Sequence, residues 1–290
     1  MHSLLPSLEE LELDTLPQVD SFPKGLFQSE LNSPCIQDCI KLNFSHSIFG
    51  LDDDVESFPE DNLLLPSTLT SLAIRNLTNL KSLDSKGLQH LTSLCNLKIR
   101  QCPQLEFILE ESLPSSIQHL EILDVKDLEY KGLLHLTSLR QLKIQSCSKP
   151  EPIPEELLPS SLEGLGIWNL KDLDYKRLQH LTSLRELTIG GCSKTESVPE
   201  EGLPSSLKYL KIENLENLKS LNYMGLQHLS SIRHLVISRC RKLESIPEEG
   251  LPSSLESLQI YFCPLLAEWC MRETEENWPK IAHIPYIIIA

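Results

Sequence analysis

Along most of the chain, apolar residues recur at the first, fourth and sixth places of a short frame. In Leu162-Glu163-Gly164-Leu165-Gly166-Ile167-Trp168 they are Leu162, Leu165 and Ile167. The frame returns at Leu69/Leu72/Ile74, Leu94/Leu97/Ile99, Ile117/Leu120/Ile122, Leu139/Leu142/Ile144, Leu184/Leu187/Ile189, Leu207/Leu210/Ile212, Ile232/Leu235/Ile237 and Leu255/Leu258/Ile260, with an outlying copy at Leu8/Leu11/Leu13. Alternation over the last places predicts a short strand with the Leu and Ile facing inward and the residues between them facing out.

From Leu69 two kinds of unit alternate. Those introduced by Leu-Pro-Ser start at Leu69, Ile117, Leu162, Leu207 and Leu255; those introduced by Leu-Thr-Ser or Leu-Ser-Ser start at Leu94, Leu139, Leu184 and Ile232. The second kind always runs 23 residues, the first 25 or 22, so variation falls on the return path. The first kind returns through Gly87-Leu88-Gln89-His90-Leu91 or Arg177-Leu178-Gln179-His180-Leu181, short enough for one helical turn. The second returns through Ile/Val-Pro-Glu-Glu, with Pro154, Pro199 and Pro247 predicting irregular turns; the earliest copy, Ile108-Leu109-Glu110-Glu111, has no proline.

A single turn of this kind cannot bury its Leu and Ile alone, whereas stacked turns make a continuous core and a parallel sheet. The predicted fold is α/β, a solenoid with the sheet on a concave face and helical turns and irregular loops on a convex one. Residues 1–263 are the array, about ten to eleven repeats, irregular at 18–65, where Ile36, Ile40 and Leu42 read as a decayed frame and Asp52-Asp53-Asp54 as a solvated acidic run. No polar capping segment precedes the first frame, the pattern expected of an array whose earlier part lies elsewhere. Residues 264–290 leave the period and are expected to form a C-terminal cap, with a short helix at 264–270.

Cysteines change the picture less than their number, nine, suggests. Cys102, Cys147, Cys192, Cys240 and Cys263 all fall three residues after the last apolar place, one structural position counted five times. Thiols two rungs apart, ~10 Å at the ~4.8 Å strand spacing, cannot be bridged, and buried reduced thiols are expected. The formal charge of -15, from 26 Lys and Arg against 41 Asp and Glu, argues against nucleic acid or an anionic membrane as partner. There is neither a signal-peptide pattern nor a run near the ~20 apolar residues that a spanning helix needs, so a cytoplasmic location is expected and the sequons at Asn43 and Asn76 are expected to be unused. His90, His135, His180 and His228 are one repeated position, too far apart to share a metal, and the paired carboxylates Glu155-Glu156, Glu200-Glu201 and Glu248-Glu249 are one position repeated on the return path, read as solvated turns and not as the acid and base that flank one bond. We expect no cofactor, no metal site and no enzymatic activity.

The frame, L-x-x-L-x-I/L-x-x-C/L, resembles the leucine-rich repeat. The run from Cys240-Arg241-Lys242-Leu243-Glu244-Ser245-Ile246-Pro247-Glu248-Glu249 through Leu255, and the ending from Cys263 to Pro285, are similar to the C-terminal repeats of plant disease resistance proteins of the coiled-coil, NB-ARC, leucine-rich-repeat family. That resemblance implies an intracellular immune receptor whose repeats recognise a pathogen effector or a guarded host protein. It also implies that they restrain an NB-ARC nucleotide switch where the chain is part of a longer one. This sequence has no G-x-x-x-x-G-K-[ST], so nucleotide binding does not carry over. A second reading, from another class, is the substrate-recognition half of an F-box type ubiquitin-ligase adaptor.

Binding by a solenoid is expected on the outward places of the strands, where the repeats differ most. Arg75, Lys98, Arg100, Lys143, Trp168, Tyr209, Lys211 and Tyr261 are the candidate protein-binding residues. Gly164, Gly166 and Gly190 surround Trp168 in frame, which admits two readings: an exposed indole anchor in a side-chain-poor hollow, or an aromatic ring packed along the sheet.

Overall fold

A Leu-x-Ile segment has one side to bury and one to leave open, and in this protein it becomes a strand wherever the frame occurs in the described chain. The computed structural model describes residues 10–13, 33–36, 57–58, 69–75, 80–83, 88–108, 113–129, 131–146, 158–168, 175–191, 203–221, 226–272 and 277–290. The chain forms two compact units, residues 1–149 with 156–159 and residues 150–155 with 160–290. The first carries β1 (Glu10–Leu13), β2 (Ser33–Ile36), β3 (Ser57–Phe58), β4 (Ser71–Arg75), β5 (Ser82–Leu83), β6 (Asn96–Ile108), β7 (His119–Glu129) and β8 (Gln141–Ser146). The second carries β9 (Gly164–Trp168), β10 (Glu186–Gly190), β11 (Tyr209–Glu213), β12 (His234–Ser238), β13 (Ser257–Tyr261), helix α1 (Pro264–Met271) and β14 (Tyr286–Ile289).

Within the first unit β1, β2, β4, β6, β7 and β8 pair in that order, all parallel, and β3 pairs with β5 apart from them. Within the second, β9 to β14 pair in chain order, again all parallel. Register matches frame to frame: Leu165, Leu187, Leu210, Leu235 and Leu258 lie in one row and Ile167, Ile189, Ile212, Ile237 and Ile260 in the next. None of these ten exceeds 3% exposure, so both rows are core throughout.

Backbone hydrogen bonds set that register. The carbonyl at the second place of one frame accepts two successive N–H groups from the next: Glu163 from Arg185 and Glu186, Arg185 from Lys208 and Tyr209, Lys208 from Arg233 and His234, at 2.8–3.0 Å. Thr70, Cys95 and Gln118 do the same in the first unit. Serines of the Pro-Ser-Ser segment add a second tie, Ser116 Oγ donating to the Leu94 carbonyl at 2.8 Å and Ser206 Oγ to that of Leu184 at 2.7 Å. The repeated histidines add a third: the Nε2–H of His135 donates to the Leu113 carbonyl and that of His228 to the Leu203 carbonyl, at 3.0 and 2.8 Å. A carbonyl can only accept, which fixes the tautomer. The return turns form a 3-10 helix at Lys131–His135 and another at Tyr175–His180.

Two residues past the last Ile the backbone turns left-handed. Gln101, Asp124, Asn214, Arg239 and Phe262 have φ between 53° and 59° there, and Gly191 has φ 66°. In the second unit the N–H of this residue reaches the end of the next strand: Gly191 to the Glu213 carbonyl, Asn214 to Ser238, Arg239 to Tyr261 and Phe262 to Ala290, at 2.8–3.1 Å. The following residue then points inward, which places Cys102, Cys240 and Cys263 in the core with free thiols. Cys147 and Cys192 lie outside the described residues, as do Asp52-Asp53-Asp54, both sequons and the turns at Pro154 and Pro199.

Three features depart from the sequence reading. One strand in the irregular region is Ser33–Ile36, with Pro34 opposite Leu11 and Ile36 opposite Leu13, a proline at the Leu place having hidden the frame; Ile40 and Leu42 lie outside the described residues. β6 continues through Ile108, because this copy lacks the proline that removes a backbone donor at that point in its siblings; Pro247, which has it, begins a turn closed by the Gly250 N–H on the Pro247 carbonyl at 2.9 Å. Residues 264–290 do hold a helix, but they also return to add β14 as a further parallel strand beside β13. Its Tyr-Ile-Ile-Ile does not alternate, so no strand face was readable there.

Truncating one member of the buried rows leaves a cavity that neighbouring rungs cannot collapse to fill. Leu210→Ala should therefore lower the unfolding free energy by about 2–5 kcal/mol, measured by urea titration; a loss below about 1 kcal/mol would show that the rows are not the core.

Candidate functional site

The outward places of each strand point away from the buried rows, and the register collects them into patches. In the first unit Ala73, Lys98, Glu121 and Lys143 lie in one row and Arg75, Arg100 and Leu123 in the next. Three of the candidate residues, Lys98, Arg100 and Lys143, are thus brought together around one carboxylate, and Arg75 lies beside Arg100 on the next strand. Glu121 is buried to 8% exposure and is paired with the Arg100 guanidinium. Lys98 and Lys143 flank it on adjacent strands and are exposed. On a chain carrying a formal charge of -15, this is a local excess of cations.

In the second unit Tyr209, Lys211 and Tyr261 gather over β11–β13. They border an open depression of about 280 Å³ that Val236, Arg239 and Phe262 also line. Lys211 Nζ lies 2.7 Å from Glu213 on the same strand face, and Arg239 Nη1 lies 3.8 Å from the same carboxylate. Tyr261 Oη donates to Gln259 Oε1 at 3.1 Å. Partial burial raises the Tyr209 phenol above its ordinary value, with Lys211 pulling the other way; the hydroxyl stays a neutral donor at physiological pH. The Ser238 hydroxyl also lines the depression, is buried, and has no hydrogen-bond partner.

Trp168 stands apart from this group. Gly164 and Gly166 are themselves buried, so the strand offers no open hollow beside it. The indole lies along the sheet over Gly190, its register partner: a Cβ built on Gly190 would sit 2.8 Å from Trp168 Nε1 and 3.1 Å from the Glu213 carbonyl. A missing side chain on one strand accommodates a large one on the next, and the half-buried ring is the packed aromatic, not the exposed anchor, of the two readings.

Arg239, Phe262 and Ser238 were not among the sequence candidates. Strict alternation assigns the position after the strand to the interior, yet the left-handed turn swings it out, leaving Arg239 62% and Phe262 69% exposed. A signal existed: every other left-handed position in these rungs holds Gln, Asp, Asn, Arg or Gly, and Phe262 breaks the pattern.

The described members of the cysteine column, Cys102, Cys240 and Cys263, are buried free thiols. The Cys240 N–H donates to Cys263 Sγ at 3.3 Å. Hydrogen bonding to Cys263, together with burial, pushes the Cys240 thiol far up, while the hydrogen bond from Cys240 holds Cys263 below the usual thiol range. Neither sulfur reaches solvent. Among the described residues no group of three or more His, Cys, Asp or Glu is placed to hold a metal ion, and no helix is long and apolar enough to cross a membrane.

Comparison with solved structures finds the same architecture. The chain is similar to the circular leucine-rich repeat protein CroV588 (20% identity, TM-score 0.59, 98% of this chain and 40% of that one). It is similar also to the internalin InlF of Listeria monocytogenes (18%, TM-score 0.54, 99% and 82%). This is a leucine-rich repeat fold. By sequence, residues 133–264 match the family described as plant disease resistance protein RPS2-like, leucine-rich repeats. A putative disease resistance protein of Arabidopsis thaliana is 35% identical over 103 residues, 31% of this chain and 7% of that protein. The chain carries a leucine-rich repeat region related to those of plant disease resistance proteins.

The contact between Trp168 and Gly190 is open to direct measurement. In a Trp269→Phe, Trp278→Phe background, Gly190→Ala should displace the indole toward solvent and shift its fluorescence emission to the red. An unchanged emission maximum would show that the ring does not rest on Gly190.

Proposed function

We propose that this chain is the protein-binding repeat region of an intracellular plant immune receptor of the coiled-coil, NB-ARC class. In this reading it recognises a pathogen effector or a guarded host protein through the open face of its strands and restrains the nucleotide switch of a longer chain. The reading rests on the contrast between the two faces of the same strands. Inward places repeat Leu and Ile, whereas outward places carry Lys98, Arg100 and Lys143 in one unit and Tyr209, Lys211 and Tyr261 in the other. Repetition inward serves packing; variety outward, with Tyr209, Tyr261 and Arg100 as residue types favoured at binding anchors, supports a recognition surface. The relation of residues 133–264 to plant disease resistance repeats supports the immune role.

The test places a photo-crosslinking amino acid at Lys143 or Tyr261 on the open face, and at Gln179 on the return path, in leaf cells challenged with pathogen. A partner protein captured from the first two positions and not from Gln179 is the expected result, and capture from Gln179 alone contradicts the reading. Deleting this region from its full-length gene product should trigger cell death without a pathogen; an unchanged requirement for pathogen would overturn the restraining role.

A further inference from the structure

The depression over β11–β13 carries features that repeat packing does not require. Phe262 occupies a left-handed conformation at φ 54°, which strains a bulky side chain, and the ring that bears this strain is 69% exposed instead of packed. Beside it, Lys211 and Arg239 supply two cations against the one carboxylate of Glu213. Lys211 holds that carboxylate at 2.7 Å; Arg239 stands 3.8 Å away, beyond hydrogen-bonding distance, and is 62% exposed. The Ser238 hydroxyl lies buried at the floor of the same site with no protein partner. The recess, about 280 Å³ and open to solvent, has room for one or two side chains.

We propose that this depression binds an exposed peptide segment of a protein partner in which a carboxylate side chain stands next to an aromatic or branched apolar one. The carboxylate pairs with Arg239, whose planar donors match it, and the apolar neighbour lies against Phe262 and Tyr261. Lys211 is held by Glu213 at 2.7 Å, which leaves Arg239 as the cation open to an incoming carboxylate. The strained ring then has a function: the left-handed turn holds it out beside the guanidinium. With a formal charge of -15 the rest of the chain disfavours a wholly acidic partner, so recognition is confined to a local acidic and apolar motif. The proposal rests on the protein-binding reading above and specifies its chemistry at one site.

A random-peptide phage library panned on the full chain, and in parallel on Arg239→Glu, tests it. The expected result is enrichment on the parent chain of peptides with Asp or Glu beside an aromatic or branched apolar residue. A synthetic copy of the enriched peptide should bind at least roughly tenfold more weakly to Arg239→Glu and to Tyr261→Ala, and equally well to Gln179→Ala on the return path. Circular dichroism of each variant separates lost binding from lost fold, and Arg239→Lys, which keeps the charge but not the planar fork, should show an intermediate loss. Enriched peptides that bind Arg239→Glu as tightly as the parent overturn the pocket while leaving protein binding by another part of the face standing. No enrichment, or enrichment of basic motifs, also overturns the pocket, and the crosslinking experiment then decides the broader reading on its own.

Discussion

Two successive N–H groups of one turn converge on a single carbonyl of the turn before it, and the register of both units follows from that fork. A strand that slipped by one residue would carry its Leu and Ile to the open side. The fork, the buried rows and the left-handed exit act on the same few residues of each rung. The Ser and His ties, at Ser116, Ser206, His135 and His228, reinforce the same pairing from the return path. With so much of each rung assigned to holding its neighbour, the outward places and the residue at the left-handed turn are left to vary.

The strands from β4 to β13, β5 excepted, were legible because the Leu-x-Ile alternation is intact there and states which side is buried. Other features were not, each for a physical reason. Pro34 stands where the frame has Leu, yet an extended backbone tolerates proline, so the strand forms without its sequence mark. Tyr286-Ile287-Ile288-Ile289 is apolar at every place and announces no face, though it pairs in register with β13. The histidines read only as repeated; that their Nε2–H groups clasp the preceding rung depends on distances no spacing reveals.

The candidate site was half legible for related reasons. Lys98, Arg100, Lys143, Tyr209, Lys211 and Tyr261 follow from alternation, and the register gathers them as two patches, one in each unit. Arg239 and Phe262 escape alternation because a positive φ reverses the side on which they emerge. Trp168 stands out in the sequence by the glycines around it. Those glycines supply the space the ring fills, so it serves the sheet surface and leaves the depression to its neighbours.

This account divides each rung into residues that hold and residues that recognise. The relation to plant disease resistance repeats concerns residues 133–264, which span much of the second unit and its most varied outward places. The matched Arabidopsis protein is far longer, the aligned stretch being 7% of it. What that protein does as a whole is therefore a proposal for this chain, whereas the division of labour within a rung is a property of the strands themselves. The most direct test is a chain in which Lys211, Arg239, Gln259, Tyr261 and Phe262 are all replaced by Ser, its urea unfolding compared with that of the parent. The account predicts an unfolding free energy within about 1 kcal/mol of the parent, as for surface residues outside the packed rows, with binding of the acidic and apolar peptide lost; a chain that unfolds, or one that still binds that peptide, would contradict it.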